Sequence, residues 1–339
     1  MIKMKKLVIG YFGNKTGKLD GQTIKTQQLY NLIRNDVDER VSFFDTEVLK
    51  FNKFQIFKMF YMCMRCDKLI YLPAHGNLKF IFPFIFLCSI IFNFKIFYFV
   101  VGGWLDIFIK NKILHKFLLK KIEKILVETN FLRDELISMG FNNVDLFPNF
   151  RFNPKKNCIV INEKTKFVFL SRVQKAKGID FILKFASDFS HKKNFSIDIY
   201  GPLENSYKEE FFKSVSEFDN IKYLGEVSPI AIQDILLQYD VMLLPTHYYT
   251  EGLPGALIDA MQSNLPIIIS RWKYADEFVF NYHNGLTFNF NDYPDFVNKV
   301  NCVVGNQSLI YSMKKNILDF KYLYSYENAL GKFKSLMLK

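Results

Sequence analysis

Two carboxylates, Glu251 and Asp259, stand eight positions apart in the stretch PTHYYTEGLPGALIDAMQSNLPIIIS. Apolar runs at 241–245 and 266–269 predict two β-strands, with a polar turn and a helix between them. Ligands bind at the carboxyl ends of strands in sheets built from such βαβ units, and Glu251 closely follows the first strand. Pro254 suits a first helical turn, and the free amide groups after it suit an anion such as a phosphate. The stretch therefore predicts a site for a phosphorylated ligand.

This stretch resembles the E-x7-E signature of retaining GT-B glycosyltransferases of family 4, except that its second acid is Asp rather than Glu. In that family the first acid approaches the donor sugar and the second holds the ribose hydroxyls, which implies these roles for Glu251 and Asp259. Asp is one methylene shorter than Glu, so the ribose role needs a closer helix or a bridging water. The alternative is that Glu251 is an ordinary acid of a loop and Asp259 a solvated acid of a helix. The spacing of the two acids does not by itself decide between this alternative and a binding site.

A basic motif opens the second half of the chain. FLSRVQKAKGIDFIL at 169–183 resembles the strand, loop and helix of the family that carry an Arg and a Lys-Gly. The resemblance implies that Arg172 and Lys177 bind the diphosphate. Two fixed cations can stabilise a nucleoside diphosphate leaving group as it gains charge, without a metal. The alternative is a pair of solvated surface cations. Because no DxD motif stands where one is expected, we predict neither a metal nor another cofactor.

Other donor-binding residues follow from weaker parts of the resemblance. IYGPLE and KYLGEVS resemble turns that line the nucleotide in the family, and GYFGNKTGKLDGQTIKT resembles its glycine loop after the first strand. Gly-Pro and Leu-Gly turns are common in α/β proteins, and a simple turn explains the glycine loop nearly as well. The implied donor-binding set is Gly21, Gln22, Arg172, Lys177, Gly201, Pro202, Leu224, His247, Glu251, Gly252, Leu253, Pro254, Gly255 and Asp259.

Candidates for acceptor binding follow two strands of the first half. They are His75 in LPAHGNL, with Trp104 and Asp106 in VVGGWLD. Many family members carry a His or an acid in one of these loops near the acceptor hydroxyl, and Trp104 could stack on a sugar face. Asp106 could equally cap the next helix. The implied catalytic set is Glu251, Arg172, Lys177, Asp106 and His75.

The alternation of strand and helix patterns predicts two doubly wound α/β domains. Residues 1–150 form an N-terminal, acceptor-binding Rossmann-like domain, to which a C-terminal helix at about 324–339 returns. Residues 151–323 form the nucleotide-sugar-binding Rossmann-like domain, and the chain crosses over within 150–163. Two such domains facing each other across a cleft are the GT-B architecture that the resemblance implies. The strands predicted in the second domain are 166–173, 195–201, 221–225, 241–245 and 266–270.

Composition narrows the classes further. The chain has 339 residues, which suits two domains, and a net charge of +12, which attracts nucleic acid, anionic lipid or phosphorylated substrates. Five cysteines do not make a disulfide framework and predict a reducing compartment. Cys63 and Cys66 are spaced CxxC, but no second Cys or His pair follows at zinc spacing. No secretory signal is predicted at the start.

The apolar stretch at 80–101 is long enough to suggest a membrane span. Pro83 near its start and Asn93 within it favour a helix, a short turn and a buried strand, and that helix could still lie against a membrane. Lysines and aromatic residues in 50–65 and 108–121 suit an anionic leaflet, with an ordinary solvated face as the alternative. We therefore predict a cytoplasmic protein, peripheral on the inner face of the bacterial plasma membrane.

Together these features imply a retaining, metal-independent hexosyltransferase. It would move a sugar from a nucleoside-diphosphate sugar, with a UDP-sugar favoured, to a hydroxyl of a glycan acceptor. The loops GQTIKT, GGWL and VETNFL resemble those of bacterial capsule, O-antigen and exopolysaccharide enzymes. The resemblance implies an acceptor oligosaccharide linked to a polyprenyl diphosphate.

Three alternatives stay open at this point. A sugar-nucleotide epimerase shares the GT-B fold, but its acid and base carboxylates cannot be assigned. A non-catalytic GT-B subunit would be expected to lose Arg172, Lys177 or Glu251, and all three are present. A nucleic-acid binder fits the charge, but we identify no basic and aromatic platform, so nucleic acid is not a predicted partner.

Overall fold

The computed structural model describes residues 4–17, 20–152 and 158–337, which divide into two compact units. Unit 1 consists of Met1–Phe150 with Tyr326–Lys339, and unit 2 is Arg151–Ser325. The sequence analysis placed these divisions at 150 and at about 324. Parts of the predicted glycine loop, domain crossing and C-terminal helix lie outside the described residues, namely 18–19, 153–157 and 338–339.

Unit 1 is built on a six-stranded, wholly parallel sheet in the order β2-β1-β3-β4-β5-β6. Its strands are short apolar runs, as expected where both faces of a parallel sheet are covered. The strands are β1 Met4–Gly10, β2 Ser42–Asp45, β3 Cys66–Leu72, β4 Lys95–Phe99, β5 Lys124–Val127 and β6 Val144–Leu146.

Helices connect these strands, and two of those that the structure describes begin after a side chain that caps the first turn. Asp20 caps α1 by accepting a hydrogen bond from the amide of Thr23, and Thr129 caps α8 in the same way. A C-terminal helix, Tyr326–Met337, contributes Phe333 to the core of this unit. The other helices are α1 Gly21–Asp36, α2 Val48–Phe51, α3 Gln55–Cys63, α4 His75–Phe80, α5 Phe82–Phe92, α6 Leu105–Lys110, α7 Ile113–Lys121 and α8 Asn130–Ser138.

The apolar stretch at 80–101 forms α5, a left-handed turn at Asn93 with φ 51°, and β4. This is the helix, turn and strand that the sequence predicts. Over the described ranges, every helix is too short or too polar to cross a bilayer. The connections from β2 to β3, β3 to β4 and β4 to β5 run in one direction across the sheet, so the right-handed rule puts α3, α5 and α7 on the same face.

Unit 2 repeats the architecture with a parallel sheet in the order β12-β11-β10-β7-β8-β9. The strands are β7 Thr165–Leu170, β8 Phe195–Tyr200, β9 Ile221–Gly225, β10 Val241–Leu244, β11 Ile267–Ser270 and β12 Gly285–Phe288. The helices are α9 Ile179–Asp188, α10 Lys208–Ser216, α11 Ile232–Leu236, α12 Gly255–Gln262, α13 Tyr293–Val303 and α14 Gln307–Ile317. The sequence analysis missed β12, whose four residues GLTF begin with glycine and follow a polar turn.

Two glycines let the loops at the carboxyl ends of the central strands of unit 2 approach each other. Gly178 has φ 78°, and a Cβ atom there would lie 1.8 Å from the carbonyl oxygen of Pro245. Gly201 has φ 130°, and a Cβ atom there would lie 1.9 Å from the carbonyl oxygen of Ser171. Only glycine fits either position. The loops after β7, β8 and β10 are therefore held in backbone contact.

We expect Gly178→Ala to destabilise unit 2 more than Gly225→Ala. Gly225 is a matched control, because its φ is 83° but nothing lies within 4 Å of its added Cβ. Both variants incur the strain of a left-handed alanine, about 1–2 kcal/mol. Gly178→Ala should lose at least about 1 kcal/mol more, since its methyl group meets the backbone of Pro245.

Urea unfolding measures the difference, with the buried Trp272 of unit 2 as fluorophore in a Trp104→Phe background. Equal losses of unfolding free energy in the two variants would show that the loops are not in contact at Gly178.

Candidate functional site

The centre of the candidate site is an ion pair between Lys177 and Glu251. Lys177 stands in the short turn between β7 and α9, and Glu251 in the loop between β10 and α12. The Nζ of Lys177 lies 2.5 Å from Oε2 of Glu251, which also accepts a hydrogen bond of 3.3 Å from the hydroxyl of Thr246. Both charged side chains are largely buried. Residues predicted to act together are thus in contact, 74 positions apart in the chain.

Arg172 adds a second cation at the end of β7. Its side chain is exposed, and within the described part of the chain it has no hydrogen-bonding or ion-pair partner. The backbone of the preceding residue, Ser171, touches Gly201, which brings Gly201 and Pro202 beside it. The carboxyl ends of the strands of unit 2 therefore carry one cation that is paired, Lys177, and one without a partner among the described residues, Arg172. This arrangement attracts an anion.

Helix α12 begins at the end of the loop that carries Glu251. Pro254 is the N-cap residue rather than part of the first turn, because its ψ of 138° is extended and the helix begins at Gly255. Gly252, Leu253 and Pro254 are buried, and the Pro254 side chain makes no capping hydrogen bond to the helix. The first amides of a helix have no partner within it, so those after Pro254 suit an anionic ligand.

Asp259 is engaged by a residue that sequence reasoning missed. Arg151 donates from Nε to Oδ1 at 2.6 Å and from Nη2 to Oδ2 at 3.2 Å, and both side chains are largely buried. A Cβ atom on Gly255 would lie 2.3 Å from Nη2 of Arg151, so the glycine leaves room for the guanidinium. The two partners are 108 positions apart, which no motif spacing could have shown.

This pairing restricts the role predicted for Asp259. Both carboxylate oxygens already accept from Arg151, whose own amide donates to the carbonyl oxygen of Tyr324 at 3.0 Å. A ribose could reach Asp259 only beside the guanidinium or in exchange for one of its bonds. Arg151 is therefore a positioning residue of the carboxylate, whatever the ligand is.

His247 is held between two oxygen acceptors. Its Nε2 lies 2.9 Å from Oδ1 of Asp180 and its Nδ1 lies 2.6 Å from Oδ1 of Asn291, and two such oxygen acceptors favour a ring that is protonated at both nitrogens. The hydrogen bond to Asp180 raises the pKa of His247, burial opposes this, and Asn291 adds to the increase. The amide of His247 also donates to the carbonyl oxygen of Ala176 at 3.0 Å. His247 thus fixes the turn that carries Lys177.

The remaining donor candidates of unit 2 are less closely tied to the pair. The carbonyl oxygen of Gly201 accepts from the hydroxyl of Tyr223 at 2.9 Å, while Pro202 is exposed. Leu224 is half exposed near the end of β9, the edge strand of the sheet. These residues border the sheet edge where the pair lies, and within the part of the chain that the structure describes the hydrogen bonds of the pair go to other residues.

In unit 1, Gly21 and Gln22 begin α1 beside an open cavity of about 410 Å³. Gln22 also donates to the carbonyl oxygen of Leu72 at 3.3 Å. The polar residues of the cavity wall suit a hydroxyl-rich ligand. They include Tyr11, Asp20, Gln22, Lys50 and Asn77.

The acceptor candidates fall into two groups. The ring of His75 is exposed and lies 5.0 Å from that of Trp104, whose Nε1 donates to the carbonyl oxygen of Val101 at 2.9 Å. Asp106 is buried in the first turn of α6. Trp104 occupies the N-cap position of that helix, so the alternative prediction that Asp106 caps it is wrong.

A buried ion pair supports the loop that carries Trp104. The Nζ of Lys25 lies 2.5 Å from Oε1 of Glu128 and donates to the carbonyl oxygen of Val100 at 2.8 Å. The amide of Gly102 donates to Glu128 at 3.4 Å. Lys25 belongs to the motif GQTIKT and Glu128 to the motif VETNFL, both noted in the sequence. That the two residues pair could not be deduced from the sequence.

Comparison with known proteins finds a family model that matches most of unit 2 and relatives that match about half of the chain. Residues 152–319 match the family described as "Glycosyl transferases group 1", which covers most of unit 2. "Capsular polysaccharide biosynthesis glycosyltransferase CapH" of Staphylococcus aureus is 28% identical over 187 residues, 50% of this chain and 48% of that protein. The "N,N'-diacetylbacillosaminyl-diphospho-undecaprenol alpha-1,3-N-acetylgalactosaminyltransferase" of Campylobacter jejuni is 25% identical over 185 residues, 53% of this chain and 47% of that protein. The chain spans about half the length of these curated relatives.

Solved structures extend the likeness to both units. HepE of Anabaena, solved in complex with UDP and glucose, matches with a TM-score of 0.77 over 99% of this chain and 100% of that one. The two are 12% identical, so this likeness shows the fold alone. Two parallel six-stranded sheets with their helices, each Rossmann-like, are the GT-B fold that the sequence predicts, and that prediction is confirmed.

We expect the pKa of His247 to lie above its ordinary value of 6.5 and to fall in Asp180→Asn. The ionic contact stabilises the protonated ring, so its contribution to stability is fully present below pH 6.5 and is lost as pH rises through the higher folded pKa. NMR titration of the imidazole resonances measures both values, with His247→Gln to assign the signal. An unchanged pKa in Asp180→Asn would contradict the contact.

We also expect strong coupling between Arg151 and Asp259 in unfolding free energy. Each single variant, Arg151→Met or Asp259→Asn, leaves a largely buried charge without its partner, so the double variant should recover about 1–3 kcal/mol relative to the sum. The exposed pair Lys175 and Glu210, 3.0 Å apart in the same unit, is the matched control and should couple by under about 1 kcal/mol. Additive losses at Arg151 and Asp259 would show that the pair does not form in solution.

Proposed function

We propose that this chain, whose residues 152–319 match the glycosyl transferases group 1, moves a sugar from a nucleoside diphosphate to a hydroxyl of a glycan acceptor. The observation that carries the proposal is the Lys177–Glu251 pair beside the exposed Arg172, at the carboxyl ends of adjacent parallel strands. A glycosyl donor needs an anion site for its diphosphate and a carboxylate near its sugar. The pair supplies the carboxylate and, with Arg172, the cations.

The proposed chemistry is electrostatic. As the glycosidic bond breaks, negative charge gathers on the diphosphate, and Arg172, Lys177 and the α12 amides stabilise it. Two fixed cations and a helix terminus can do this without a metal ion, so we propose metal-independent transfer. The exposed Arg172 has no partner to give up within the described residues, so it can meet the diphosphate directly.

Glu251 is proposed to face the donor sugar. Its contacts with Lys177 and Thr246 hold the carboxylate in place before any ligand binds, and its negative charge suits a sugar that becomes oxocarbenium-like. No nucleophile is required if the acceptor attacks on the face from which the phosphate leaves. We therefore propose retention of the anomeric configuration, as in family 4, with His75, Trp104 and Asp106 as the acceptor-side candidates.

The names of related proteins support a choice of substrates. HepE was solved with UDP and glucose, which favours a UDP-sugar as donor. The Campylobacter relative is named for a diphospho-undecaprenol acceptor, and the Staphylococcus relative for capsular polysaccharide biosynthesis. We propose a polyprenyl-diphosphate-linked oligosaccharide of a surface polysaccharide such as capsule or O-antigen as acceptor, used at the inner face of the bacterial plasma membrane.

The test measures sugar-nucleotide binding and turnover in matched variants. Arg172→Gln and Lys177→Gln should each weaken UDP binding by about 10-fold to 100-fold, because each removes a charge-assisted contact worth about 1.5–3 kcal/mol. Lys175→Gln is the matched control, since Lys175 stands in the same turn and pairs with exposed Glu210. Glu251→Gln should lower kcat far more than UDP affinity. Calorimetry gives the affinities, and a panel of sugar nucleotides gives turnover.

Four outcomes would contradict parts of the proposal. Unchanged UDP and GDP affinity in both cation variants would remove the donor site. Loss of activity with excess chelator, restored by manganese or magnesium, would refute metal independence. Isomerisation of the sugar nucleotide without any acceptor would favour an epimerase, and binding without turnover on any acceptor would favour a non-catalytic subunit.

A further inference from the structure

One side of unit 1 exposes large apolar side chains on three neighbouring helices. In α5, Phe84 is 60% exposed, Leu87 54%, Ile90 65% and Ile91 61%. Helix α5 contacts α3 on one side and α7 on the other, and each of these also presents bulky apolar residues outward. We call this surface the apolar face and define it by Phe54, Phe57, Phe84, Ile90, Ile113 and Phe117.

The composition of α5 makes its exposure unusual. Its eleven residues, FPFIFLCSIIF, include no charged side chain, and only Phe82 and Ile85 are buried. A helix that is apolar all round is normally covered on every side. Single exposed apolar residues need no explanation, but a continuous group on three helices marks an interaction surface. At eleven residues α5 is too short to span a bilayer.

The charges around the apolar face indicate what covers it. The segments 48–65, 75–99 and 107–122, which supply α2 to α5, α7 and most of α6, contain no Asp and no Glu. Exposed lysines flank the helices, and Lys79 and Lys121 lie 4.9 Å and 5.8 Å from the rings of Phe80 and Phe117. The apolar face is therefore a group of exposed apolar side chains flanked by positively charged lysines. A partner that covers it must be apolar at its centre and negatively charged at its edge.

A second copy of this chain does not meet that requirement, because two such faces would bring their lysines together. A nucleic acid offers the negative charge but no apolar layer. An anionic lipid surface offers both, with acyl chains for the phenylalanines and isoleucines and headgroups for the lysines. Lysine and aromatic side chains at the rim suit the headgroup level, since each has an apolar body and a polar or polarisable end.

We propose that the apolar face docks unit 1 onto an anionic lipid bilayer, with α5 lying along the boundary between headgroups and acyl chains. The sequence analysis predicted that the lysine-rich segments 50–65 and 108–121 suit an anionic leaflet, with a solvated face as the alternative, and that the helix within 80–101 could lie against a membrane. The structure brings these three parts together, because α5 contacts both α3 and α7. The inference deepens the proposed function, because a lipid-linked acceptor lies at such a surface. Lipid binding itself does not depend on glycosyl transfer.

The test is co-flotation of the full chain with vesicles of phosphatidylcholine containing about a third phosphatidylglycerol. The wild-type chain should float with these vesicles, should bind pure phosphatidylcholine at least about 10-fold more weakly, and should be released by high salt. Ile90→Asn with Ile91→Asn should reduce binding at least about 10-fold. Ile230→Asn is the control, because Ile230 is 94% exposed but lies in unit 2.

A second variant tests the charged rim. Replacing Lys112, Lys116, Lys120 and Lys121 by Gln should weaken binding to the anionic vesicles by at least about 10-fold and remove most of its salt dependence. Unchanged melting temperatures establish that the variants fold. Both variants should keep wild-type UDP affinity, which separates this surface from the donor site.

The proposal is overturned if the wild-type chain stays unbound to anionic vesicles, or if the α5 variant floats as well as the Ile230 control. It is also overturned if sedimentation shows a dimer that the α5 variant abolishes, since a second copy then covers the face. Lost flotation with normal UDP binding in the α5 variant supports the surface. Flotation of a chain that binds no UDP supports the surface too and counts only against the proposed function.

Discussion

The backbone contact between Gly178 and Pro245 joins the two loops on which the candidate site of unit 2 depends. Because glycine alone fits there, the turn after β7 lies directly on the segment after β10. Lys177 and Glu251 consequently meet across the contact and offset much of the cost of removing two charges from water. The hydroxyl of Thr246 and the amide of His247, which follow Pro245 in the chain, both lie within hydrogen-bonding distance of the carbonyl oxygen of Ala176 in the same turn. The charged pair is therefore set in place by packing, before any ligand arrives.

Charge balance gives this part of unit 2 its preference for anions. Two cations are each matched by a carboxylate, in the pairs Lys177–Glu251 and Arg151–Asp259, and the ring of His247 lies against the carboxylate of Asp180. Arg172 has no counter-charge among the residues that the structure describes, and the N-terminus of α12 adds a partial positive charge nearby in the chain. A ligand with two phosphates would meet Arg172, which has no counter-charge among the described residues, and Lys177, which Glu251 would share with it. The matched pairs also reduce the repulsion between neighbouring cations when no ligand is bound.

Much of this arrangement is encoded locally, and some is not. Apolar runs bounded by turn residues predict five of the six strands described in unit 2, but β12 is a short GLTF segment whose own sequence carries little strand signal. Glu251 and Asp259 lie in one loop and the helix that follows it, so their spacing in the sequence is enough to predict that they belong to the same part of the fold. Arg151 is a distant partner of Asp259, and only the fold brings it there. Likewise, α5 is plainly apolar in sequence, but which of its sides the core leaves uncovered depends on the packing of α3 and α7.

The most direct test of the donor site is a crystal structure of the chain with UDP bound. The account predicts diphosphate oxygens within hydrogen-bonding distance, about 2.7–3.2 Å, of Arg172 and Lys177, with the ribose toward the Arg151–Asp259 pair. Glu251 should remain ordered, with its carboxylate open to the position of the missing sugar. A diphosphate bound elsewhere, with Arg172 still solvated and the Lys177–Glu251 pair unchanged, would contradict the account.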